Sequence, residues 1–319
     1  MDKKIAKILV GLPLEGPFDY RVSTEMKKDI RIGCRVWVQF GFRKMVGYVV
    51  GFSASSKFKK IKPILSLIDR VPILNQDMLK LTRDFAEYYC CSWAEAIETS
   101  LPEAIRKGRV VSLIGKNIET ARNIQFQATL IHDFGQDGHW DILREEIGNT
   151  LREGKGILWL VPEATYSKRR WELLNQLFSA RMAVLDKGKG VRERLEEWRK
   201  IKDGEVDVVL GTRSAVFAPL PHLGLIIVEE EDHPAYKQEQ GPFYHAREVA
   251  IMRSRQEKLS LILASRTPSL EAIYLTKSKG FKLIRPTTKA VLPRAQIVDL
   301  SHYPRQKDAA AAISLPLQN

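Results

Sequence analysis

From Ala128 onward, short apolar runs alternate with charged segments of helical length. In order they are ATLIHDF, WDILREEIGNTLREG, KGILWLVPE, a helix near 165–179, RMAVLD, a helix near 190–202, and VDVVLGT. Few architectures accommodate that rhythm. It predicts a parallel sheet with helices on both faces. The alternation then runs through the turn Gly211-Thr212-Arg213-Ser214 and an apolar strand ending in Glu229-Glu230-Glu231-Asp232. A helix and a further apolar strand follow, closing on Ser265-Arg266-Thr267-Pro268.

The first 109 residues have a different texture. KIAKILVGL, FDYRV, CRVWVQF, MVGYVVGF and PILSLID read as short strands, separated by turn signals such as Gly16-Pro17 and Gly41. MLKLTRDFAEYYCCSWAEAIETSL carries apolar residues at helical spacing, so one or two helices are predicted over 77–100, with Tyr88, Tyr89 and Trp93 in the core. The whole chain, 319 residues with 44% apolar content, is long enough for two domains. Its formal charge is +13, and residues 1–109 hold 20 Lys/Arg against 12 Asp/Glu. That concentration of positive charge suits a polyanion-binding module, or a basic surface kept for solubility. The absence of any long apolar run and of a signal-peptide pattern makes a cytoplasmic, non-membrane location the expectation. Cys34, Cys90 and Cys91 form no CxxC pair, so neither a disulfide framework nor a zinc site is expected. Glu230 with His233 is a possible i, i+3 pair, but too few ligands for a metal site.

The motif order of the second part resembles the first RecA-like lobe of a superfamily 2 helicase. Within that class it resembles the primosomal protein N′ (PriA) family of replication-restart helicases. The first part resembles the same family's small domain that captures the 3′ end of a nascent DNA strand. The matching pieces are Phe18-Asp19-Tyr20, Gly33-Cys34-Arg35-Val36, Gln39-Phe40-Gly41, the run Met45 to Val50, Ile61-Lys62-Pro63-Ile64, Glu87-Tyr88-Tyr89 and Leu101-Pro102. Each piece is unspecific, and their shared order carries the signal. The resemblance implies that Phe18, Asp19, Gly41 and Lys62 occupy 3′-end-binding positions. An aromatic can pack on a base, a carboxylate can accept hydrogen bonds, glycine admits close backbone approach, and lysine neutralises phosphate. Taken alone, the same residues are equally a core aromatic, a turn aspartate and a hairpin glycine. Thr212 and Arg213, in an intact GTRSA segment, are implied to face DNA.

The phosphate-binding loop departs from its pattern. A GxxxxGK[ST] loop wraps phosphates with backbone N–H groups, supplies a lysine charge, and ligates magnesium through a hydroxyl. The equivalent stretch runs from Asp133 to Trp140. Only Gly138 keeps the pattern cleanly; Gly135 is a degenerate remnant, His139 stands in the lysine position and Trp140 in the hydroxyl position. Glu229 and Glu230 stand as vestigial counterparts of the magnesium-binding and water-orienting acids.

The expected architecture is therefore α/β. A β-rich 3′-end DNA-binding domain spans 1–109 and a linker without a winged helix spans 110–127. A degenerate RecA-like lobe spans 128–290, and a tail 291–319. The expected function is recognition of 3′ ends or branched DNA without ATP hydrolysis, with neither ATP, magnesium nor zinc as cofactor. DNA is the expected partner, with other primosome components or single-strand-binding proteins beside it. Two alternatives remain open: a 3′-to-5′ helicase subunit completed by a second chain, and a structural module that acts through protein contacts.

Overall fold

The computed structural model describes residues 4–115, 126–133, 138–186, 188, 190–278 and 280–286. The first half is built on five antiparallel strands, β1 (Ile5–Val10), β2 (Phe18–Arg21), β3 (Arg35–Phe40), β4 (Arg43–Ser53) and β5 (Ile64–Leu67). Their spatial order is β2-β1-β4-β3-β5. The two outer strands meet at one end, where Arg21 bridges Pro63 and its N–H donates to the Lys62 carbonyl at 2.9 Å. The sheet thereby rolls around an interior that includes Ala6, Ile8, Val36, Val38 and Val49. Rolling pairs one end of both edges and leaves less open ladder to water. Leu9 and Tyr48 point the other way, into a core shared with helices. That explains why Ile8, Leu9 and Val10 of β1 are apolar in succession rather than alternating.

The amphipathic stretch over 77–100 forms two helices, α1 (Gln76–Tyr88) and α2 (Trp93–Ser100), followed by the short α3 (Glu103–Arg106). Asn75 caps α1 by accepting the Met78 N–H at 2.9 Å, and Ser92 with Glu95 forms a capping box on α2. Cys90, at φ 52°, turns the chain between them. Tyr89 and Trp93 pack against the core as predicted. Tyr88 does not: it ends α1, sits edge-on against Tyr89 and stays exposed. Arg35 is fully buried in β3, paired with Asp69 at 2.7 Å and donating to the carbonyls of Ile105 and Arg109. One side chain thus ties the rolled sheet to the end of α3.

The second half is a seven-stranded sheet, all parallel: β6 (Gln127–His132), β7 (Gly156–Leu160), β8 (Met182–Leu185), β9 (Val208–Gly211), β10 (Leu223–Glu229), β11 (Ser260–Ser265) and β12 (Lys282–Ile284). The order is β12-β6-β11-β10-β7-β9-β8. The connecting helices are α4 (Gly138–Arg152), α5 (Ala164–Leu177), α6 (Val191–Lys202), α7 (Ala246–Glu257) and α8 (Leu270–Ser278). Leu143, Ile147 of α4 and Leu174 of α5 cover one face, while α6 and α7 cover the other. β7, β9 and β10 are buried at every position, as an inner parallel strand requires. This is the parallel sheet with helices on both faces that the alternation predicts.

The two halves share a core. Phe85 of α1 packs edge-on against Phe217 at 5.8 Å, and Gln256 of α7 donates to the Asp77 carbonyl at 2.7 Å. Most of the linker expected at 110–127 lies outside the described residues. Its first part is anchored where the Ile114 N–H donates to Asp203 at 3.0 Å. The tail expected at 291–319 also lies outside them. Among the described residues no helix is long and apolar enough to cross a membrane.

Candidate nucleic-acid interface and nucleotide cleft

The closure of the rolled sheet determines what surrounds Lys62. Its carbonyl receives the Arg21 N–H of β2, and its ammonium donates to the Gly41 carbonyl at 3.1 Å. Gly41 turns the β3–β4 hairpin at φ 55°, a conformation that favours glycine, with open space where a Cβ would stand. Phe18 meets Phe40, the residue before Gly41, edge-on at 5.0 Å. Phe18, Gly41 and Lys62 therefore converge on one end of the sheet, a half-buried aromatic wall beside an exposed lysine and an open turn. Such a surface can pack against a base and neutralise a phosphate.

Asp19 takes another direction. Strand alternation sends it to the face opposite Phe18, where Lys7, its cross-strand neighbour, donates to Oδ1 at 2.6 Å. Burial alone would raise its carboxyl, and hydrogen bonds from Lys7 and Ser56 overcome that and hold it below the ordinary value. The carboxylate is thus engaged by the fold and fastens the loop that carries Ser56.

In open α/β sheets, ligands bind in the crevice beyond the carboxyl ends of the strands. At that end of this lobe, Gly135 lies outside the described residues, and Gly138 opens α4. His139 donates to Asp133 Oδ2 through its backbone N–H at 2.9 Å and through Nδ1 at 2.8 Å. Trp140 stacks on Trp159 of β7, with centroids 6.0 Å apart and planes 24° from parallel. Arg170 of α5 lies over both rings, 5.6 and 5.7 Å from their centroids. The same guanidinium grips both oxygens of Glu229, with Nε at 2.9 Å, and the Trp159 indole N–H donates to Glu229 Oε2 at 3.2 Å. Glu229 is nearly fully buried. A cation entering here would compete with a charge-assisted, bidentate pair already in place. Glu230 adopts φ 48°, uncommon for a residue with a side chain, and accepts the Tyr166 hydroxyl at 3.4 Å.

The neighbouring acids bind this strand end to its surroundings. Glu231, fully buried, accepts from Arg247 at 2.8 Å and from the Ser269 N–H at 2.7 Å. Asp232 accepts from Ser265 and from Thr267 at 2.8 Å, docking the Ser265-Arg266-Thr267-Pro268 turn onto the end of β10. Thr212 opens a short 3-10 helix after β9 and is half-buried. Arg213 donates to the carbonyls of Ala235 and Lys237, at 3.1 and 2.6 Å, and so clamps the segment after the acids. Among the described residues no cluster of His, Cys, Asp or Glu is suited to a metal ion.

His245 caps α7, its Nδ1 accepting the Arg247 N–H at 3.3 Å, while its own N–H donates to the Tyr89 hydroxyl at 3.1 Å. Burial first, then Arg247 and Lys237, push its imidazole down to about 4. The unfolded chain therefore binds the proton first as pH falls, and stability drops from the ordinary histidine value of ~6.5 down through the folded value. Half-buried as it is, about 2 kcal/mol of stability should be lost between neutrality and about pH 4. Urea unfolding of the wild type and His245→Asn, which keeps an acceptor at the cap, measures this. The variant should lose less over that interval, and parallel losses would refute the assignment.

Arg170 and Trp159 are not singled out by the sequence. A signal exists, since an indole N–H inside an all-apolar strand must find an acceptor. Finding that acceptor requires knowing that β7 lies beside β10, which sequence order conceals.

Against known proteins, residues 7–102 match the family model described as the 3′ DNA-binding domain of PriA. The replication restart protein PriA of Treponema pallidum is 29% identical over 323 residues, covering 92% of this chain and 49% of that protein. That of Bacillus subtilis is 36% identical over 186 residues, 57% of this chain and 23% of that protein. That of Rickettsia prowazekii is 28% identical over 316 residues, covering 93% of this chain and 48% of that protein. The chain thus spans at most about half the length of these relatives. The family model lies over the rolled sheet and its helices, and the relatives align through both halves: the first half matches the 3′ DNA-binding domain of PriA, and most of the chain is similar to replication restart proteins of that name.

Proposed function

We propose that the chain is a DNA-binding protein of the replication-restart type, recognising 3′ ends or branched DNA without hydrolysing ATP. The observation that carries the first part is the convergence of Phe18, Gly41 and Lys62 at the closure of the rolled sheet, within the segment that matches the 3′ DNA-binding model. An aromatic wall, an open glycine turn and a lysine suit a terminal nucleotide, which offers a base face and a phosphate. The second part rests on Arg170, which already neutralises the acid that would hold magnesium, and on Trp140 in place of a hydroxyl ligand. In this reading the parallel-sheet lobe is a scaffold, with Glu229 and Glu230 structural. It acts in the cytoplasm beside other primosome or single-strand-binding proteins.

Salt dependence tests the interface. Binding of a 3′-tailed duplex should weaken steeply with salt, and Lys62→Ala should shallow the slope of log affinity against log salt by about one. Binding that ignores salt, or a slope unchanged in Lys62→Ala, would remove Lys62 from the interface.

A further inference from the structure

Residues 30–68 hold eight Lys/Arg and no Asp or Glu. They include the two segments that converge on the proposed end-binding surface. One is the β3–β4 hairpin turn, where Phe42 is fully exposed, with Arg43 exposed beside it. The other is the loop between β4 and β5, where Phe58 is 67% exposed and flanked by the exposed Lys57, Lys59 and Lys60. The two are fastened together and to the sheet. Lys62 at the end of the loop donates to Gly41 of the turn, and Asp19 engages Ser56 at the loop's other end.

Single exposed apolar residues are ordinary, and folding gains nothing from them. Two exposed phenylalanines, each set among cations on loops tied to one another, are a different arrangement. Arg35 is buried against Asp69, but the exposed cations of the two loops form a field that draws a polyanion, and exposed aromatic faces accept stacked bases of any identity. We infer that Phe42 and Phe58, with the lysines around Phe58, form a stacking platform for the single strand leading to the 3′ terminus. The platform extends the end-binding surface and rests on that reading: Phe18, Gly41 and Lys62 take the last nucleotide, and the two loops take the bases and phosphates behind it. The role of Asp19 is then one of positioning, since it holds the loop that presents Phe58.

The test compares wild type, the double variant Phe42→Ala with Phe58→Ala, and the double tryptophan variant. Each is titrated with oligothymidylate of about fifteen nucleotides, ending in either a 3′-hydroxyl or a 3′-phosphate. Both side chains are solvent-exposed, so thermal unfolding should be unchanged. The alanine variant should bind roughly ten- to a hundredfold more weakly to both oligonucleotides, keeping the wild-type ratio between the two ends. The tryptophan variant should restore the affinity. Affinity unchanged in the alanine variant overturns the platform. A wild type that binds both ends alike overturns the end-binding reading instead, and the platform then stands or falls on the alanine variant alone.

Discussion

Replacing Arg170 with alanine should destabilise the protein by ~3–5 kcal/mol, because it strands a carboxylate in the interior. Glu229 is buried at the end of the central strand β10, and Arg170 is the cation that meets both its oxygens. The Trp159 indole, which also donates to Glu229, cannot replace a full charge. Loss of the guanidinium also uncovers the stacked faces of Trp140 and Trp159. Removing both charges, in Arg170→Met with Glu229→Gln, should recover much of the loss, since a neutral pair is less costly to bury than a lone ion. Chemical denaturation of the wild type and the two variants measures this directly. An Arg170→Ala protein as stable as wild type would show that Glu229 is not held by this pair.

The second large effect is catalytic. Phosphoryl transfer is accelerated almost wholly by positioning and by fixed charge around the phosphates and magnesium. Here the lysine position holds His139, whose ring donates to Asp133, and the hydroxyl position holds Trp140, which is stacked on Trp159. Hydrolysis should fall on the order of several powers of ten below that of an intact phosphate-loop enzyme. DNA-stimulated phosphate release should be indistinguishable from background. Release that persists through purification and vanishes in Glu230→Gln would contradict this.

Much of the architecture was legible because burial leaves its mark on composition. The two-sided strands β7, β9 and β10 announce themselves as apolar runs, and the helical spacing over 77–100 marks the two helices that pack there. The convergence of Phe18, Gly41 and Lys62 was legible only through family resemblance, because the Arg21–Pro63 bridge that creates it joins residues far apart in sequence. What stayed hidden depends on strand order and side-chain direction. Nothing in the sequence sets β7 beside β10, so the partnership of Arg170 and Trp159 with Glu229 could not be read. Nor does the FDY segment disclose that Asp19 faces Lys7 while Phe18 faces Phe40. Nor could the sequence show that the Arg213 guanidinium donates to the carbonyls of Ala235 and Lys237.

The most direct test of 3′-end recognition is an equilibrium titration of the intact chain against one forked DNA prepared in two forms. One carries a free 3′-hydroxyl on the nascent strand, and the other has that hydroxyl blocked, at the same salt concentration. The convergence of Phe18, Gly41 and Lys62 predicts tighter binding to the free end by roughly tenfold, about 1.4 kcal/mol, the scale of one lost polar contact. Equal affinity for the two forms would contradict it.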